Sequence, residues 1–438
     1  MPDTFKPRDE NEIVEAVAWA VSGEKKLDVI GRGTKRGIGR AAQTDATLDV
    51  SALAGVVIYE PEELILSAKA GTPISQIEKM LAGNRQEFAF EPMDTGPILG
   101  GKPGEGTLGG MLSVNFSGPR RIKAGASRDH ALGVKAVSGR GEIFKAGGRV
   151  VKNVTGYDLP KLLAGSFGTL AVMTEITLKV LPVAEDVETV LAFGLSDARA
   201  VEAMALAMGS ACDVSAASHF PEKTAARLPL ESAASGSVTA FRLEGIAPSI
   251  AYRREKLEAM LKPFGSLAVL KADESRAFWR AVRDAVPFSE KTASALWRIS
   301  VTPGEGAKIG GAISAATGAQ MFYDWAGGLL WVEMPDENPH EQAVRGAVGR
   351  NGHALLVRAA PSVRASAEVF GALDAGLAKV TKSLKENGVK NIHVEGLPNC
   401  DWVLIDSGEV IVHVFRPEVR EFYNLERLWT QNPAVAAV

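Results

Sequence analysis

Glycine is concentrated in one part of this chain, and that distribution limits what this part can fold into. Of the 45 glycines among 438 residues, fourteen lie between Gly96 and Gly148. Glycine weakens helices and strands because it has no side chain to pack and loses much conformational freedom on folding. From Gly96 to Gly118 there is also little hydrophobic periodicity, so the sequence predicts a long loop, with a helix beginning near Gly109. Loops of that length inside a domain are usually functional.

The overall composition is that of a globular protein. Hydrophobic residues make up 46% of the chain and charged residues 23%, which excludes disordered, collagen-like and coiled-coil classes, and the length allows two or three domains. The 49 basic and 52 acidic residues give a net charge of −3, so no global positive field exists to hold a nucleic acid or an anionic membrane. We therefore expect no nucleic acid partner.

The sequence offers no pattern typical of a targeting or membrane segment. The first nineteen residues are rich in acidic side chains, where a secretory or transit peptide would be basic and then apolar. The most apolar stretch, residues 169–182, is interrupted by Glu175 and Lys179 and is shorter than the ~20 residues that a helical span needs. We expect a cytoplasmic protein without a membrane span, and any membrane contact would be peripheral.

The first glycine run, Gly31 to Gly39, follows a predicted strand at Leu27–Ile30. It fits a Rossmann dinucleotide loop poorly, because the glycine after Gly33 comes four residues later and no apolar helix begins within the loop. What is left is a turn of backbone N–H groups with Thr34 and Lys35, a pattern typical of an anion-binding nest. Taken alone, the run is better explained as a tight connection between strands.

Two further glycine runs belong to the same predicted domain. Residues 104–110 read Gly-Glu-Gly-Thr-Leu-Gly-Gly, where glycines allow a diphosphate to approach the backbone and Thr107 can add a hydroxyl. Residues 165–170 lead directly into a β-branched strand, where exposed backbone could face a flat ring. Each run alone is explained by the glycines that loops commonly contain, but three runs in one domain favour a dinucleotide site.

Several other chemistries lack their motifs. No Gly-x-x-x-x-Gly-Lys-Ser/Thr phosphate loop occurs, and residues 165–168 are one residue short of a nucleophile elbow. The six histidines are scattered without a Cys-x-x-Cys pair, so we expect no bound metal. The two cysteines, Cys212 and Cys400, cannot supply the four thiolates that an iron–sulfur cluster usually needs. Any such cluster would sit on another chain.

The middle of the chain, from Glu185 to Arg358, alternates strands with helices, which predicts an α+β domain with an antiparallel sheet. Within it, Arg298 and His353 are candidates for binding a carboxylate substrate, although a surface position explains each of them equally well. We predict a first domain at 1–183, an α+β cap or substrate domain at 184–365, a helix at 366–387 and a small α/β appendage at 388–438, ending in a helix at 419–429.

The segment from Gly31 to Pro182 resembles the FAD-binding domain, also called PCMH-type, of vanillyl-alcohol-oxidase-type flavoproteins. The matching motifs are Gly-x-Gly-Thr-Lys at 31–35, Gly-Thr-Leu-Gly-Gly at 106–110, Arg128-Asp129, and the stretches 147–159 and 165–182. Gly-Pro-Arg-Arg at 118–121, Lys-Asn-Val at 152–154 and Leu-Trp-Arg-Ile-Ser at 296–300 resemble more closely the FAD-binding subunit of the glycolate oxidase complex. Residues 324–328 and 352–354 extend this likeness to about residues 5–385.

This resemblance implies a two-part FAD-binding domain that holds the FAD diphosphate at the first two glycine runs and the flavin near the third. Some relatives attach the flavin through a histidine or cysteine in the first loop, but residues 31–39 contain neither, so we expect non-covalent FAD. The residues assigned to FAD are Gly31, Arg32, Gly33, Thr34, Lys35, Gly106, Thr107, Leu108, Gly109, Gly110, Asp129, Gly168, Thr169, Leu170 and Val172.

The resemblance also implies a reaction and partners. The family complex oxidises glycolate, a short 2-hydroxy acid, with a second FAD-containing subunit and an iron–sulfur subunit, and peripheral contact with the inner membrane would come through these partners. Arg298 and His353 would hold the substrate carboxylate. Two roles stay open for this chain, catalysis and the relay of electrons.

The C-terminal segment departs from that family, which usually ends in a tail that returns toward the flavin domain. Residues 393–396, 401–406, 412–420 and 422–429 instead resemble the end of the iojap-like ribosomal silencing factor, as a gene fusion or a faulty join of two reading frames would produce. The front half of that family's domain is missing, so we do not expect ribosome binding. A translation regulator is therefore the alternative function, on this segment alone.

Overall fold

A computed structural model of the chain describes residues 3–149, 157–230, 236–349 and 352–371, and the backbone of three strands beyond them. The chain divides into two compact units, Met1–Val369 and Phe370–Val438. The strands described up to residue 182 are β1 (Asp3–Phe5), β2 (Leu27–Ile30), β3 (Ala46–Asp49), β4 (Val56–Glu60), β5 (Ile65–Lys69), β6 (Gln86–Glu87), β7 (Ala131–Ser138), β8 (Ile143–Gly147), β9 (Ala171–Lys179) and β10 (Leu181–Pro182). The helices of the same part are α1 (Glu10–Ser22), α2 (Ile74–Gly83), α3 (Leu108–Val114), α4 (Arg121–Ala124), α5 (Ser127–His130) and α6 (Leu159–Leu163).

These strands form two separate main sheets. A parallel sheet has the order β1-β3-β2, and an antiparallel sheet has the order β4-β5-β9-β7-β8. Helix α1 packs its buried Ile13 and Val17 against Leu48 of the first sheet. The sequence predicts a helix at residues 9–22, with Asp9 placed to cap it and Glu12 three residues later. The structure confirms this start, because the Asp9 side chain accepts a hydrogen bond from the backbone N–H of Glu12 at 3.0 Å.

The second sheet and the helix of the second glycine run share one core. Leu108, Met111 and Leu112 recur at the spacing of one helix face and are buried with Leu66 and Ile176 of the sheet. A helix predicted near Gly109 is thus confirmed, and the glycine run before it is held against the sheet by this packing.

The middle of the chain forms a second domain-like layer within the same unit. Its strands are β11 (Asp186–Phe193), β12 (Ala216–Phe220), β13 (Val238–Gly245), β14 (Leu267–Lys271), β15 (Leu296–Ser300), β16 (Gln320–Asp324), β17 (Leu329–Glu333) and β18 (His353–Arg358). Its helices are α7 (Asp197–Met208), α8 (Glu222–Ala225), α9 (Ala247–Leu261), α10 (Ala272–Arg283), α11 (Gly306–Thr317), α12 (Glu341–Val348) and α13 (Pro361–Ser366).

All of these strands belong to one antiparallel sheet with the order β14-β11-β13-β12-β16-β17-β15-β18. Each half of the sheet has the connectivity βαββαβ, and α10 lies between the halves in sequence. The halves meet in the middle of the sheet, where β12 of the first half pairs with β16 of the second through His219 and Tyr323. The antiparallel α+β architecture that the sequence predicts for this region is present, and its internal duplication is additional.

The two faces of this sheet have different neighbours. The Tyr323 hydroxyl donates to Asp197 at the start of α7 at 2.6 Å, and Gly310 of α11 lies against the same tyrosine, so these helices cover that face. Side chains alternate along a strand, so Arg298 and Trp331, which pair with each other, lie on the opposite face.

Within the segment 366–387, the sequence predicts a helix that begins at Ala367. The structure corrects this start, because α13 ends at Ser366 and Ala367 is extended, with φ −80° and ψ 151°. Hydrogen bonds explain the correction. The N–H of Leu356 donates to Val369 at 3.0 Å, so this segment is fixed as extended chain beside β18. Residues 372–392 and the predicted helix at 419–429 lie outside the described residues.

In the second unit, β19 (His393–Glu395), β20 (Trp402–Asp406) and β21 (Ile411–Phe415) form an antiparallel sheet in chain order. The sequence predicts strands at His393–Glu395, Trp402–Ile405 and Val410–Phe415, and the structure confirms a strand at each of these places. In the part of the chain that the structure describes, no helix combines the length and the apolar character that crossing a membrane requires.

Candidate functional site

The first two glycine runs lie against each other. A Cβ atom built on Gly31 would stand 2.4 Å from Thr107 Oγ1, and one built on Gly106 would stand 3.4 Å from Lys35 Nζ. The second run is fixed to the end of β5 by hydrogen bonds from Leu108 N to Thr72 O at 2.9 Å and from Gly109 N to Ala70 O at 2.7 Å. The absence of side chains at Gly31 and Gly106 therefore leaves room that larger residues would fill.

Lys35 lies where these two runs meet, and its charge has little compensation. Its ammonium donates a weak hydrogen bond to Thr34 Oγ1 at 3.4 Å and forms no ion pair with a described carboxylate. Burial lowers the pKa of Lys35 to about 8, while the more distant Asp94 opposes that shift. Asp94 itself accepts hydrogen bonds from the backbone of Gly96 and Gly104. A partly dehydrated cation among glycines fits a diphosphate group.

The third glycine run joins the other two. Backbone hydrogen bonds from Gly165 N to Leu112 O at 3.0 Å and from Phe167 N to Ser113 O at 2.9 Å fasten it to α3, the helix that the second run opens. Gly168, with φ +75°, faces Val29 of β2, the strand that leads into the first run. All three runs therefore converge around β2 and α3, as a site for one extended dinucleotide requires.

The predicted cofactor residues differ in their solvent exposure. Arg32 and Thr169 are exposed, whereas Leu108 and Val172 are buried in the core, so only their backbone atoms could face a ligand. Asp129 is exposed, and its carboxylate accepts a hydrogen bond from Ala126 N at 2.8 Å within α5. Half-buried residues at the glycine runs are Gly31, Gly33, Thr34, Lys35, Gly106, Gly109, Gly110, Gly168 and Leu170.

Arg298 is the central residue of the second predicted site. Its guanidinium lies 4.8 Å from the ring of Phe116, 4.9 Å from that of Trp325 and 5.9 Å from that of Trp331. No hydrogen bond or ion pair joins it to another described residue, although the side chain is only partly exposed. Burial, followed by repulsion from Arg121, lowers the pKa of Arg298 to about 10. An arginine held this way has all its donors available for an anion.

His353 lies on the same sheet face as Arg298. In the register of β15 and β18, Arg298 pairs with Leu355 and Ser300 pairs with His353. The Nε2 atom of His353 is buried without a hydrogen-bond partner. Burial, helped by the charge of Arg298, lowers the pKa of His353 to about 4, so the ring is neutral at neutral pH. It can therefore bind a ligand by a hydrogen bond but not as a cation.

Asp324 and Trp325 extend this site, and sequence reasoning did not select them as site residues. Asp324 is 2% exposed, and its Oδ1 accepts hydrogen bonds from Ser218 Oγ at 2.6 Å and from Trp325 N at 2.8 Å. Burial raises the pKa of Asp324 to about 7 despite these bonds. Trp325 and Ala326 both have positive φ values, 52° and 56°, a strain that proteins tend to keep at functional sites.

The strained turn is tied to the loop that follows α3. Trp325 Nε1 donates to the carbonyl of Gly118 at 3.0 Å, and the guanidinium of Arg121 lies 5.7 Å from the Trp325 ring. Two arginines, Arg121 and Arg298, therefore flank one indole. The motif at 324–328 was noticed only as part of a resemblance, because periodicity gives no sign that an aspartate will be buried.

A buried ion network lies beside this turn. Glu91 accepts hydrogen bonds from Arg242 of β13 at 2.7 and 3.0 Å and from the backbone of Arg120 at 2.9 Å. The Arg120 side chain pairs with Glu87 at 2.5 Å and with Glu244 at 3.4 Å. Among the described residues, no cluster of three or more metal-binding side chains is found.

Comparison with known families gives two matches. Residues 4–147 match the family described as "FAD binding domain", and residues 365–437 match the family "Ribosomal silencing factor during starvation". Both resemblances found in the sequence are therefore confirmed. The two matches lie at opposite ends of the chain, as expected of a fusion.

Curated proteins extend the first match. The chain is 32% identical over 344 residues to glycolate oxidase subunit GlcE of Escherichia coli (strain K12), covering 78% of this chain and 85% of that protein. It is 29% identical over 194 residues to glycolate oxidase subunit GlcD of Bacillus subtilis (strain 168), and 32% identical over 191 residues to D-lactate dehydrogenase of Archaeoglobus fulgidus. These two matches cover 44% and 43% of this chain and 40% of each relative.

Solved structures share the fold. Alkyldihydroxyacetonephosphate synthase superposes with a TM-score of 0.62 over 88% of this chain and 75% of its own, at 16% identity. p-Cresol methylhydroxylase with substrate bound superposes with a TM-score of 0.60 over 82% of this chain and 81% of its own, at 12% identity. At such identities the superpositions establish a shared fold alone.

Proposed function

This chain belongs to the family of glycolate oxidase subunit GlcE, an FAD-binding oxidoreductase family, and from that premise we propose that it oxidises a short 2-hydroxy acid as one subunit of a complex. The observation that carries the proposal is the pairing of two sites in one unit. One is the convergence of three glycine runs around Lys35, and the other is Arg298, whose donors have no anion among the described residues.

The glycine runs supply what a dinucleotide cofactor needs. Lys35 compensates the charge of a diphosphate, and the open backbone at Gly31 and Gly106 lets that group approach closely. We propose that FAD is bound non-covalently, because residues 31–39 contain no histidine or cysteine. Bound FAD would supply a flavin ring that accepts a hydride from C2 of the substrate.

The face of the cap sheet supplies the substrate contacts. Arg298 binds the carboxylate through two parallel N–H donors, and the rings of Phe116, Trp325 and Trp331 exclude water from that ion pair and strengthen it. His353 is neutral, and its unpartnered Nε2 is available for a hydrogen bond with the substrate hydroxyl. Glycolate is the first substrate to test, given the family.

The proposed partners rest on the relation to glycolate oxidase subunits. Electrons that leave the flavin would pass to a second FAD-containing subunit and an iron–sulfur subunit, and the two cysteines of this chain, too few to hold such a cluster, are consistent with that assignment. Peripheral association with the inner membrane would come through these subunits. Co-expression and co-purification with the two partner types tests this assembly, and a chain that never co-purifies with them would contradict it.

Anaerobic mixing of the FAD-loaded chain with glycolate or D-lactate, alone and with the partner subunits, tests the reaction. Loss of the yellow flavin absorbance with the chain alone supports catalysis, and loss only with the partners supports electron relay.

Arg298→Lys keeps the charge but loses the paired donors, so we expect about tenfold weaker substrate binding. Arg199→Ala is the control, because Arg199 also stacks on a ring, that of Phe264 at 4.4 Å, on the helical side of the sheet. If the flavin of the Arg298→Lys variant is reduced as fast as that of the parent at every substrate concentration, Arg298 does not bind the substrate.

A second candidate function is regulation of translation, which the match of residues 365–437 to the ribosomal silencing factor favours. The described part of this range comprises residues 365–371 and the antiparallel sheet β19-β20-β21. Sedimentation of the full chain with large ribosomal subunits distinguishes the two functions. A flavoprotein subunit should stay in the supernatant, whereas tight co-sedimentation would support the silencing function.

A further inference from the structure

The chain returns from the cap to the first glycine run. Helix α13 is followed by the extended segment beside β18, and two side chains of this region reach residues 328 positions earlier. Arg364 binds the carbonyls of the loop, and Glu368 forms an ion pair with Arg40 at 2.7 Å. Both side chains of the Arg40–Glu368 ion pair are exposed, so this pair contributes little to stability. The contact between α13 and the loop therefore depends mainly on Arg364.

Arg364 is a buried cation without an acidic partner among the described residues. Its Nη1 atom donates to Gly39 O at 3.1 Å and to Arg36 O at 3.4 Å. Only 9% of the residue is exposed, its Nε atom is buried without a partner, and burial lowers its pKa. Removing a guanidinium from water is costly, and the loop carbonyls compensate only part of that cost.

The carbonyls that Arg364 holds belong to the turn that carries Lys35. Within this turn, Arg36 N donates to Gly33 O at 3.2 Å, and Ile38 N donates to Lys35 O at 2.9 Å. The turn ends at Gly39, whose φ of +85° is a conformation that side-chain-bearing residues rarely adopt. The Arg36 side chain also pairs with Asp28 of β2 at 2.5 Å, and Ile38 is buried. Arg364 adds to these contacts by holding the backbone at residues 36 and 39, on which the direction of Lys35 depends.

We propose that Arg364 is a positioning residue for the cofactor loop: by binding the Arg36 and Gly39 carbonyls it fixes the turn that presents Lys35 to the FAD diphosphate. This inference rests on the proposed FAD binding. The positive charge of Arg364 behind the loop also adds to the field that attracts the diphosphate.

The proposal has a consequence for the C-terminal segment. The match to the ribosomal silencing factor begins at residue 365, directly after Arg364. The residue that supports the cofactor loop therefore belongs to the part of the chain before the change of family. Because coupling between two binding events is reciprocal, FAD should in turn stabilise the docking of α13 on the loop.

FAD titration of the full-length apoprotein, followed by quenching of FAD fluorescence, tests the proposal. We expect Arg364→Gln and Arg364→Lys to weaken FAD binding by about tenfold or more, the scale of a lost charge-assisted hydrogen bond. Arg253→Gln is the matched control, because Arg253 donates to the carbonyls of Cys212, Asp213 and Glu244 in the cap. That variant should lose stability but keep the FAD affinity of the parent.

Hydrogen exchange of the parent chain provides a second test that needs no variant. Adding FAD should slow exchange at residues 361–366 as well as at 31–39. Folded Arg364 variants with the FAD affinity of the parent, or exchange at 361–366 that FAD leaves unchanged, would overturn the positioning role. A parent chain that binds no FAD would instead refute the proposed function, so the two failures are distinguishable.

Discussion

Glu91 provides the clearest test of how the cap is attached to the FAD-binding part. Burial alone would raise the pKa of this carboxyl, but Arg242 and Arg120 hold it at about 2, against 4.5 without the fold. A shift of this size corresponds to about 3 kcal/mol of folding free energy at neutral pH, at 1.36 kcal/mol per unit. The folded-state pKa is depressed, so this stability is present above pH 4.5 and is lost as the pH falls through about 2.

Glu91→Gln removes the charge and keeps the shape of the side chain. We expect the free energy of unfolding to fall by about 3 kcal/mol at neutral pH, because two buried arginines lose a partner, and the difference from the parent to shrink toward zero near pH 2. Urea unfolding of parent and variant over this pH range measures it. Glu12→Gln, which breaks the exposed pair with Arg8, is the control and should change little. A Glu91→Gln difference that is independent of pH would refute the reasoning.

Three further outcomes are expected. Burial lowers the pKa of Lys35 to about 8, so FAD affinity should fall as the pH rises through that value, and Lys35→Met should lower the affinity and abolish this dependence in FAD titrations. In Gly31→Ala the new Cβ would stand 2.4 Å from Thr107 Oγ1, so this variant should weaken FAD binding by about tenfold. Adding Thr107→Ala should restore part of the affinity. A Gly31→Ala variant with the FAD affinity of the parent would contradict the close approach of the two glycine runs. A chain ended after Asn387 should keep its FAD, because Arg364 is retained, and a folded but flavin-free product would show that the C-terminal segment is needed.

Local patterns predicted the elements whose signals lie within a few residues. The start of α1 follows from Asp9 and Glu12, and the glycine runs mark loops wherever they fold. No helix is predicted from the sequence at residues 306–317, where the structure has α11, because the glycines at 306, 310 and 311 lower helix propensity. The structure explains one of them, since a Cβ on Gly310 would stand 2.3 Å from the Tyr323 hydroxyl. Without α11, the second βαββαβ half could not be recognised.

The candidate site was predicted only in part, because most of its contacts join residues that lie far apart in the sequence. Convergence of the glycine runs could be expected because one ligand would need all of them. The aromatic surroundings of Arg298 join Phe116 to strands far along the chain, and the contact of Arg364 with Gly39 spans 325 residues. Burial of Asp324 depends on a strand, β12, whose Ala-Ala-Ser-His-Phe sequence carries little β-propensity. Such long-range contacts leave no periodic signal in the sequence.

Flavin analysis of the purified full-length chain tests the central claim most directly. After incubation with FAD and removal of the excess, acid precipitation should leave about one FAD per chain in a yellow supernatant, because residues 31–39 offer no histidine or cysteine for a covalent bond. Yellow colour retained in the pellet would contradict non-covalent binding. A folded chain that stays colourless after incubation with FAD would contradict the account of the glycine runs as a cofactor site.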